Sequence, residues 1–470
     1  MAQPSSSPPR QLHRQLGLGS AIALNMLDMV GIGPFVTLPL VVAALGGPQA
    51  FLGWILGAAI ALCDGLVWAE LGAMMPQAGG SYAFLREIYG PDRGGRLASF
   101  LYVWQLCCSA PLSVASGCIG LAQYAGFLYP ALGHSVAESG PLAHLQGTQL
   151  AAAGACVLAV FLLYRNVRAV ARFAWILWSA MLLAFAIILF AGFTHFHAAL
   201  VFTMPAGAFT LSPAFFTALG AATLLTTYDY WGYYNVCFLG GEIRDPRCNI
   251  PRAVLISIAA IAALYLAMNL SVLGAMPWQQ IVKGNHLAVA AVMVQQTLGS
   301  AAAHTLALLI VAAAFASVFA LLLGFSRVPY VAALDGNFFR VFGSLHPKHG
   351  FPHVALLALG TLATLFCFFS LTHVITALVT IRILLQFVLQ QAGVILLRIR
   401  QPQRPRPFRV WLYPLPPLFA LAGFLFILFA RPNAAVEIRY GLILAVSGTL
   451  AFLVRSALRR EWPFAIRSVV

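Results

Sequence analysis

The sequence predicts an all-α protein that crosses a lipid bilayer many times. Three observations carry that reading. Of the 470 residues, 61% are hydrophobic and only 8% charged, with a mean hydropathy of +0.88. A water-soluble chain of this length needs more charge than that to cover its surface. The apolar residues come in long runs such as Leu150–Leu163 and Phe173–Phe193. A helix of roughly 20 such residues spans the hydrocarbon with its backbone polar groups satisfied internally. The basic residues lie in short segments between these runs, not along one aromatic-interleaved face, so the net charge of +15 does not indicate a nucleic-acid partner.

Apolar stretches bounded by Gly, Pro and charge give twelve candidate spans. They lie at roughly 18–44, 50–74, 97–130, 148–164, 172–193, 213–240, 252–276, 302–333, 353–371, 373–397, 411–430 and 438–457. Amphipathic stretches near 82–90 and 286–298 read as short helices on the membrane surface or over the mouth of a cavity. With the N-terminus inside, all Lys and Arg except Lys283, Arg382, Arg431 and Arg439 fall in segments on the cytoplasmic side, while 131–147 and 194–212 contain neither. This asymmetry predicts an even number of spans with both termini cytoplasmic. No cleavable leader is expected, and residues 1–15 read as a disordered tail. The eight cysteines, including adjacent Cys107 and Cys108, mostly fall inside apolar runs without metal-ligand spacing and read as small core residues.

Two spans carry sequence that a helix does not tolerate well. The first contains Val30-Gly31-Ile32-Gly33-Pro34-Phe35 at about mid-depth. Two glycines and a proline in six residues leave backbone groups unpaired, which a bilayer allows only beside protein or a wet cavity. One reading is a discontinuous helix whose amides bind an anion such as a carboxylate; the other is a proline kink or a close-packing glycine face. The sixth span contains Tyr228-Asp229-Tyr230-Trp231-Gly232-Tyr233-Tyr234, an acid, a glycine and five aromatics where an interfacial belt does not belong. Five spans separate the two interruptions, the spacing expected of inverted five-helix halves with a site at their interface.

Ionisable residues inside the spans are functional candidates by default. Asp28, one turn before Gly31, reads as a carrier of a coupling proton, a partner for a cationic substrate, or a cap on the broken helix. Asp229 carries the same alternatives. Asp64, midway along the second span, and Arg382 of the tenth are natural partners with a structural role. Glu70, near the cytoplasmic end, is expected to bond loop amides or arginines that hold an inner gate. His304 and His373 lie near outer boundaries and read as hydrated surface histidines. There is no metal triad, nucleophile elbow or phosphate-binding loop, so neither an enzyme nor a nucleotide-driven pump is expected, and no cofactor.

The motifs resemble those of the amino acid–polyamine–organocation (APC) superfamily of permeases. Gly31-Ile32-Gly33-Pro34-Phe35 is similar to the first-helix glycine motif of that family. Ala69-Glu70-Leu71-Gly72-Ala73-Met74-Met75-Pro76, Gly79-Gly80-Ser81-Tyr82 and Tyr89-Gly90-Pro91 resemble the segment after its second helix. Glu242-Ile243-Arg244-Asp245-Pro246 through Asn249-Ile250-Pro251-Arg252-Ala253 resembles its loop after the sixth. Arg404-Pro405-Arg406-Pro407-Phe408-Arg409 fits the approach to the eleventh span. The likeness runs from residue 15 to about 455.

The resemblance implies a LeuT-type fold of 12 transmembrane helices: first repeat 16–196, second repeat 210–400, helices 11 and 12 in 408–458, and a C-terminal tail 459–470. Helices 1 and 6 would be discontinuous. It implies alternating-access transport of amino acids in a plasma or bacterial inner membrane, by proton symport or by exchange against a counter-substrate. Gly31, Ile32 and Gly33 would offer amides to the substrate carboxylate. Carbonyls of Tyr228, Asp229 and Trp231, beside Gly232, would receive the ammonium, and Tyr228 would act as a thin gate. Two departures stand out: Ile32 replaces a frequent Ser, and Pro34 a branched apolar residue. The lysine that some relatives use for coupling has no counterpart, because Ile176–Ile188 contains no Lys. Within the same fold, uptake of polyamines or other organic cations is the alternative. Asp28, Asp229 and the aromatics at 228–234 would serve it, and the Gly33-Pro34-Phe35 and Tyr230-Trp231 segments resemble plant polyamine permeases.

Overall fold

The computed structural model describes residues 14, 16–77, 79–135, 145–165, 169–283, 288–347 and 350–464, with backbone alone at 165 and 169–177. The expected tail 1–15, apart from Arg14 itself, lies outside the described residues, as do 465–470 of the expected tail 459–470 and residues 286–287 of the second amphipathic stretch.

Among the described residues every regular element is a helix. In order, α1 is Leu18–Val30, α2 Gly33–Leu45, α3 Phe51–Met74, α4 Ser81–Ile88, α5 Gly94–Leu128, α6 Gly147–Arg165 and α7 Ala169–Thr194. These are followed by α8 Ala198–Phe202, α9 Pro213–Tyr230, α10 Asn235–Phe238, α11 Pro246–Ala275, α12 Trp278–Lys283, α13 Val289–Leu298 and α14 Ser300–Leu334. The last five are α15 His353–Phe366, α16 Leu371–Arg382, α17 Val388–Arg400, α18 Leu415–Phe429 and α19 Ala434–Arg459. Local chemistry sets several ends. Pro34, Pro213 and Pro246 occupy first-turn positions, where a missing N–H costs nothing. The Ser212 and Ser370 hydroxyls accept from the N–H groups of Phe215 and His373, capping α9 and α16.

Among the described residues, seven helical stretches are long and apolar enough to cross a membrane, eight if α1 and α2, bent by 45°, count as one. The sequence suggests twelve. The difference lies in the shorter apolar helices His353–Phe366 and Leu415–Phe429, and in α7, of which only Trp178–Thr194 has described side chains. The sixth candidate is divided where α9 stops at Tyr230.

Large apolar side chains such as Ile55, Phe161, Phe190, Leu308, Ile443 and Leu450 face outward. Asn25, Asp64, Glu70, Asp229, Arg382 and Gln391 are buried. That inversion of the soluble pattern is what a lipid surroundings requires, since a polar head group finds partners only inside the bundle. α5 packs against α14, α3 against α11, and α2 against α9, so both broken segments sit in the middle. Among the described residues, each amphipathic stretch packs one face on the bundle. α4 buries Tyr82, Phe84, Leu85 and Ile88 against α5 and α17, and α13 packs on α14 and α7.

One end of the bundle is laced by charge. Glu70, 1% exposed, receives Arg398 and the Val410 N–H, with Arg406 Nε at 3.4 Å. Arg86 meets Asp335 at 3.2 Å, Arg404 meets Glu87 at 3.0 Å, and Arg96 pairs with Glu461. The other end carries fewer charges, among them the Arg431–Glu437 pair, and a backbone bond from His197 N–H to the Gly274 carbonyl at 2.8 Å.

Candidate functional site

The first interruption follows from its residues. α1 stops at Gly31, whose φ of +43° and ψ of −122° lie where a side chain is strained. α2 restarts at Gly33, with Pro34 following. A helix end leaves its last carbonyls, and a helix start its first amides, without partners in the same helix. Here the negative end of α1 and the positive end of α2 therefore meet at the break.

The second interruption begins at Trp231, whose N–H still reaches the carbonyls of Thr227 at 3.2 Å and Tyr228 at 3.3 Å. Gly232 then takes φ +123°, and α10 resumes three residues later. The two breaks touch. A Cβ on Gly232 would stand 2.6 Å from the Met29 nitrogen, and one on Gly33 would collide with the Asp229 carboxyl. Tyr265 of α11 ties them, its hydroxyl donating to the Met29 carbonyl at 2.9 Å and lying 3.2 Å from the Asp229 carbonyl. Asn25 does the same lower down, accepting from Val236 N–H at 2.9 Å and donating to Ser257 at 3.3 Å.

A cavity of about 60 Å³ lies between the breaks, lined by Asp28 through Gly33, by Tyr228, Asp229, Trp231, Gly232 and Tyr234, and by parts of α5, α14 and α16. Every residue of the expected substrate site is thus on its wall. It shares Asp28, Tyr234, Ser317, Leu321 and Phe325 with a second cavity of about 650 Å³, which extends to Gly79, Glu242, Arg327 and Gly350 at the charged end. A third cavity, of about 710 Å³, lies on the opposite side, lined by Gln123, Gln149 and Ser370, and shares no lining residue with the first.

The side chains have distinct surroundings. The Tyr228 hydroxyl is 2.9 Å from Ser116 Oγ. Asp229 Oδ2 accepts from Thr37, while Oδ1 is buried without a hydrogen-bond partner among the described residues. Ile32 packs against Gly120 of α5. The Trp231 ring stacks on Phe387 with centroids 4.7 Å apart, and its indole N–H is unpartnered. Asp28 is half-buried and forms neither an ion pair nor a hydrogen bond with any described residue.

Asp64 and Arg382 do not pair, contrary to the expectation from sequence. The Asp64 carboxylate accepts from Tyr233 and from Gln391 of α17. Arg382, at the end of α16, donates to Ser109 at 3.3 Å, to Ser113 at 3.0 Å and to Tyr234 at 3.1 Å. Gln391 comes nine residues after Arg382, about 13 Å along a helix, so the two charges sit at different depths. Both find neutral hydrogen-bond partners inside the bundle. His304 and His373 are exposed and bond locally, to the Ser300 carbonyl and the Ser370 hydroxyl. Among the described residues no group of three or more His, Cys, Asp or Glu is placed to hold a metal ion.

Sequence reasoning missed Thr37, Ser109, Ser113, Ser116, Tyr265 and Ser317. For the α5 serines a signal existed. Ser109, Ser113 and Ser116 recur at helical spacing in an apolar helix, a polar stripe that lipid does not favour. Thr37 and Tyr265 carry no such pattern.

Residues 16–452 match the family model described as amino acid permease. The chain is 25% identical to the Asc-type amino acid transporter 1 of Mus musculus over 447 residues, covering 94% of this chain and 81% of that protein. It is 27% identical to the serine/threonine exchanger SteT of Bacillus subtilis (strain 168), covering 89% and 91%. To the large neutral amino acids transporter small subunit 2 of Homo sapiens it is 26% identical, covering 93% and 79%. With the family model matching nearly its whole length, the chain is a multi-span membrane protein that belongs to the amino acid permease family of the APC superfamily.

Proposed function

We propose that this protein carries amino acids across a cell membrane by alternating access, with the two helix breaks as the binding site. The observation that carries the reading is the meeting of the breaks around a small cavity. A zwitterion complements it. Its carboxylate faces the start of α2 at Gly31, Ile32 and Gly33. Its ammonium faces the end of α9 and the carbonyls of Tyr228, Asp229 and Trp231, beside Gly232. Tyr228 covers the bound substrate as a thin gate. The names of the relatives, all amino acid transporters or exchangers, support the same substrate class.

In this reading the shorter helices complete twelve spans, two inverted five-helix repeats and two further helices. Both termini are cytoplasmic, in keeping with the position of the Arg residues. The cavity leads toward the charged end, so the conformation is inward-facing. Transport is driven by exchange against a second amino acid or by a proton. Asp229 is the favoured proton carrier, because one of its carboxyl oxygens is buried without a partner, and Asp28 is the other candidate. Glu70, Asp64 and Arg382 hold helices together. Polyamine uptake by the same fold is less well supported, since the Arg382 guanidinium lines the cavity and repels a second cationic group.

Purified protein in liposomes tests this. Labelled serine, alanine, leucine, arginine and putrescine are offered with and without internal amino acid, and with and without a proton gradient. Uptake of at least one zwitterionic amino acid is expected, accelerated by internal substrate or by the gradient. Uptake of putrescine alone would replace this reading with the polyamine one. Asp229→Asn should reduce gradient-driven uptake more than exchange.

A further inference from the structure

Arg382 is buried, 5% exposed, and lines the small cavity together with Asp28. No carboxylate lies within 4.0 Å of it among the described residues, and its hydrogen-bond partners Ser109, Ser113 and Tyr234 are neutral. Two aromatic faces flank it, Trp231 at 5.6 Å and Phe325 at 5.3 Å. A guanidinium has five N–H groups, and the three bonds to protein leave two of them without a described partner. It also stands immediately before the π-helical turn Ile383–Phe387, a local widening of the helix that is frequent at functional sites.

Asp28 stands on the same cavity wall, with neither oxygen bonded to a described residue. Among the described residues on that wall, Arg382 is the one basic side chain, and it makes no contact with Asp28 within 4.0 Å. A buried cation and a nearby anion, both with unused hydrogen-bonding capacity and separated by open space, are ill-suited to an empty or apolar neighbour.

We propose that Asp28 and Arg382 form a charge-balanced side-chain subsite that selects amino acids with a neutral hydrogen-bonding side chain, hydroxyl or carboxamide. This rests on the reading of the cavity as the amino acid site. The acceptor atom of such a side chain faces the free N–H groups of Arg382, and its donor faces Asp28. An aliphatic side chain leaves both charges unsatisfied. A lysine-like side chain meets Arg382 with like charge, and an aspartate-like one meets Asp28.

The test is competition against uptake of labelled threonine by full-length protein in liposomes. Unlabelled threonine is compared with its isostere valine, and asparagine with leucine, aspartate and lysine. Threonine and asparagine should half-inhibit at concentrations at least about tenfold lower than the others, as expected where a site built to hydrogen-bond meets a ligand that cannot. Removing one charge should tilt the balance in opposite directions. Asp28→Asn should raise the affinity of aspartate relative to asparagine, and Arg382→Gln that of lysine relative to asparagine, each by about tenfold or more. Equal competition by valine and threonine in the wild type overturns the proposal, as do variants that shift the charge preference in the same direction or not at all. The wild-type comparison decides even where a variant is lost from the membrane. Uptake of none of the amino acids overturns the transport reading and this subsite with it, whereas uptake without side-chain discrimination overturns the subsite alone.

Discussion

The two helix breaks do the same geometric work by different means. The first is written into its own residues: Gly31 sits at φ +43°, Gly33 lies against the Asp229 carboxyl, and Pro34 removes an amide. The second has a single glycine, and its shape depends on groups far away in sequence. Tyr265 of α11 sets its hydroxyl 3.2 Å from the Asp229 carbonyl while donating to Met29, Asn25 holds Val236 from α1, and the aromatic rings of Trp231 and Phe387 stack. A break encoded locally persists while its neighbours move. A break held by tertiary contacts is free to respond when they change, and a transport cycle has use for both.

The largest test of this contrast is Gly232→Ala. Its φ of +123° and the approach of the Met29 nitrogen at 2.6 Å leave no room for a methyl group, and backbone cannot move aside cheaply. Strain and overpacking together should cost about 3 kcal/mol. Uptake in liposomes should fall to background, and the melting temperature in detergent should drop by several degrees. Wild-type uptake would mean that the two breaks are not pressed together.

Gly31→Ala should be milder. The Ser317 hydroxyl is the nearest obstacle, at 3.2 Å, and a side chain can turn, so the backbone conformation alone costs about 2 kcal/mol. Because that cost is conformational, trimming the obstacle with Ser317→Ala should not restore uptake. Rescue by Ser317→Ala would show that space, not backbone strain, governs the first break.

Tyr265→Phe keeps the ring against Trp54, Tyr230 and Phe185 and removes only the hydroxyl. The Met29 carbonyl loses its donor and the Asp229 carbonyl a close polar neighbour, at about 1–2 kcal/mol in total. Uptake should fall several-fold, chiefly through weaker apparent affinity, and hydrogen exchange should rise more around 228–234 than around 29–35. Equal loosening at both breaks would erase the distinction drawn here.

The smallest effect belongs outside the breaks. Arg86 and Asp335 form a partly exposed pair, with side chains 32% and 41% accessible. Screening by water holds such a pair below about 1 kcal/mol. Arg86→Ala should therefore leave melting within a degree or two of the wild type.

What the sequence by itself determined was set by composition and local backbone chemistry. The shortage of charge and the long apolar runs require a multi-span helical membrane protein. Gly31, Gly33 and Pro34 mark the first break, because glycine and proline change what a backbone does wherever they stand. Ordered motifs from Gly31 to Arg409 were enough to suggest the family. The tertiary structure alone decided who meets whom. Asp64 and Arg382 looked like partners because each is costly in lipid, yet a buried charge is satisfied by whatever polar group shares its depth and face. For Asp64 these are Tyr233 and Gln391, and for Arg382 two serines and a tyrosine. Thr37 and Tyr265 are ordinary residues in their own helices and gain their roles only where α2 and α11 pass the end of α9. Hydrophobic patterning records which residues face inward, but not the depth at which two helices cross, and it is at those crossings that this site is made.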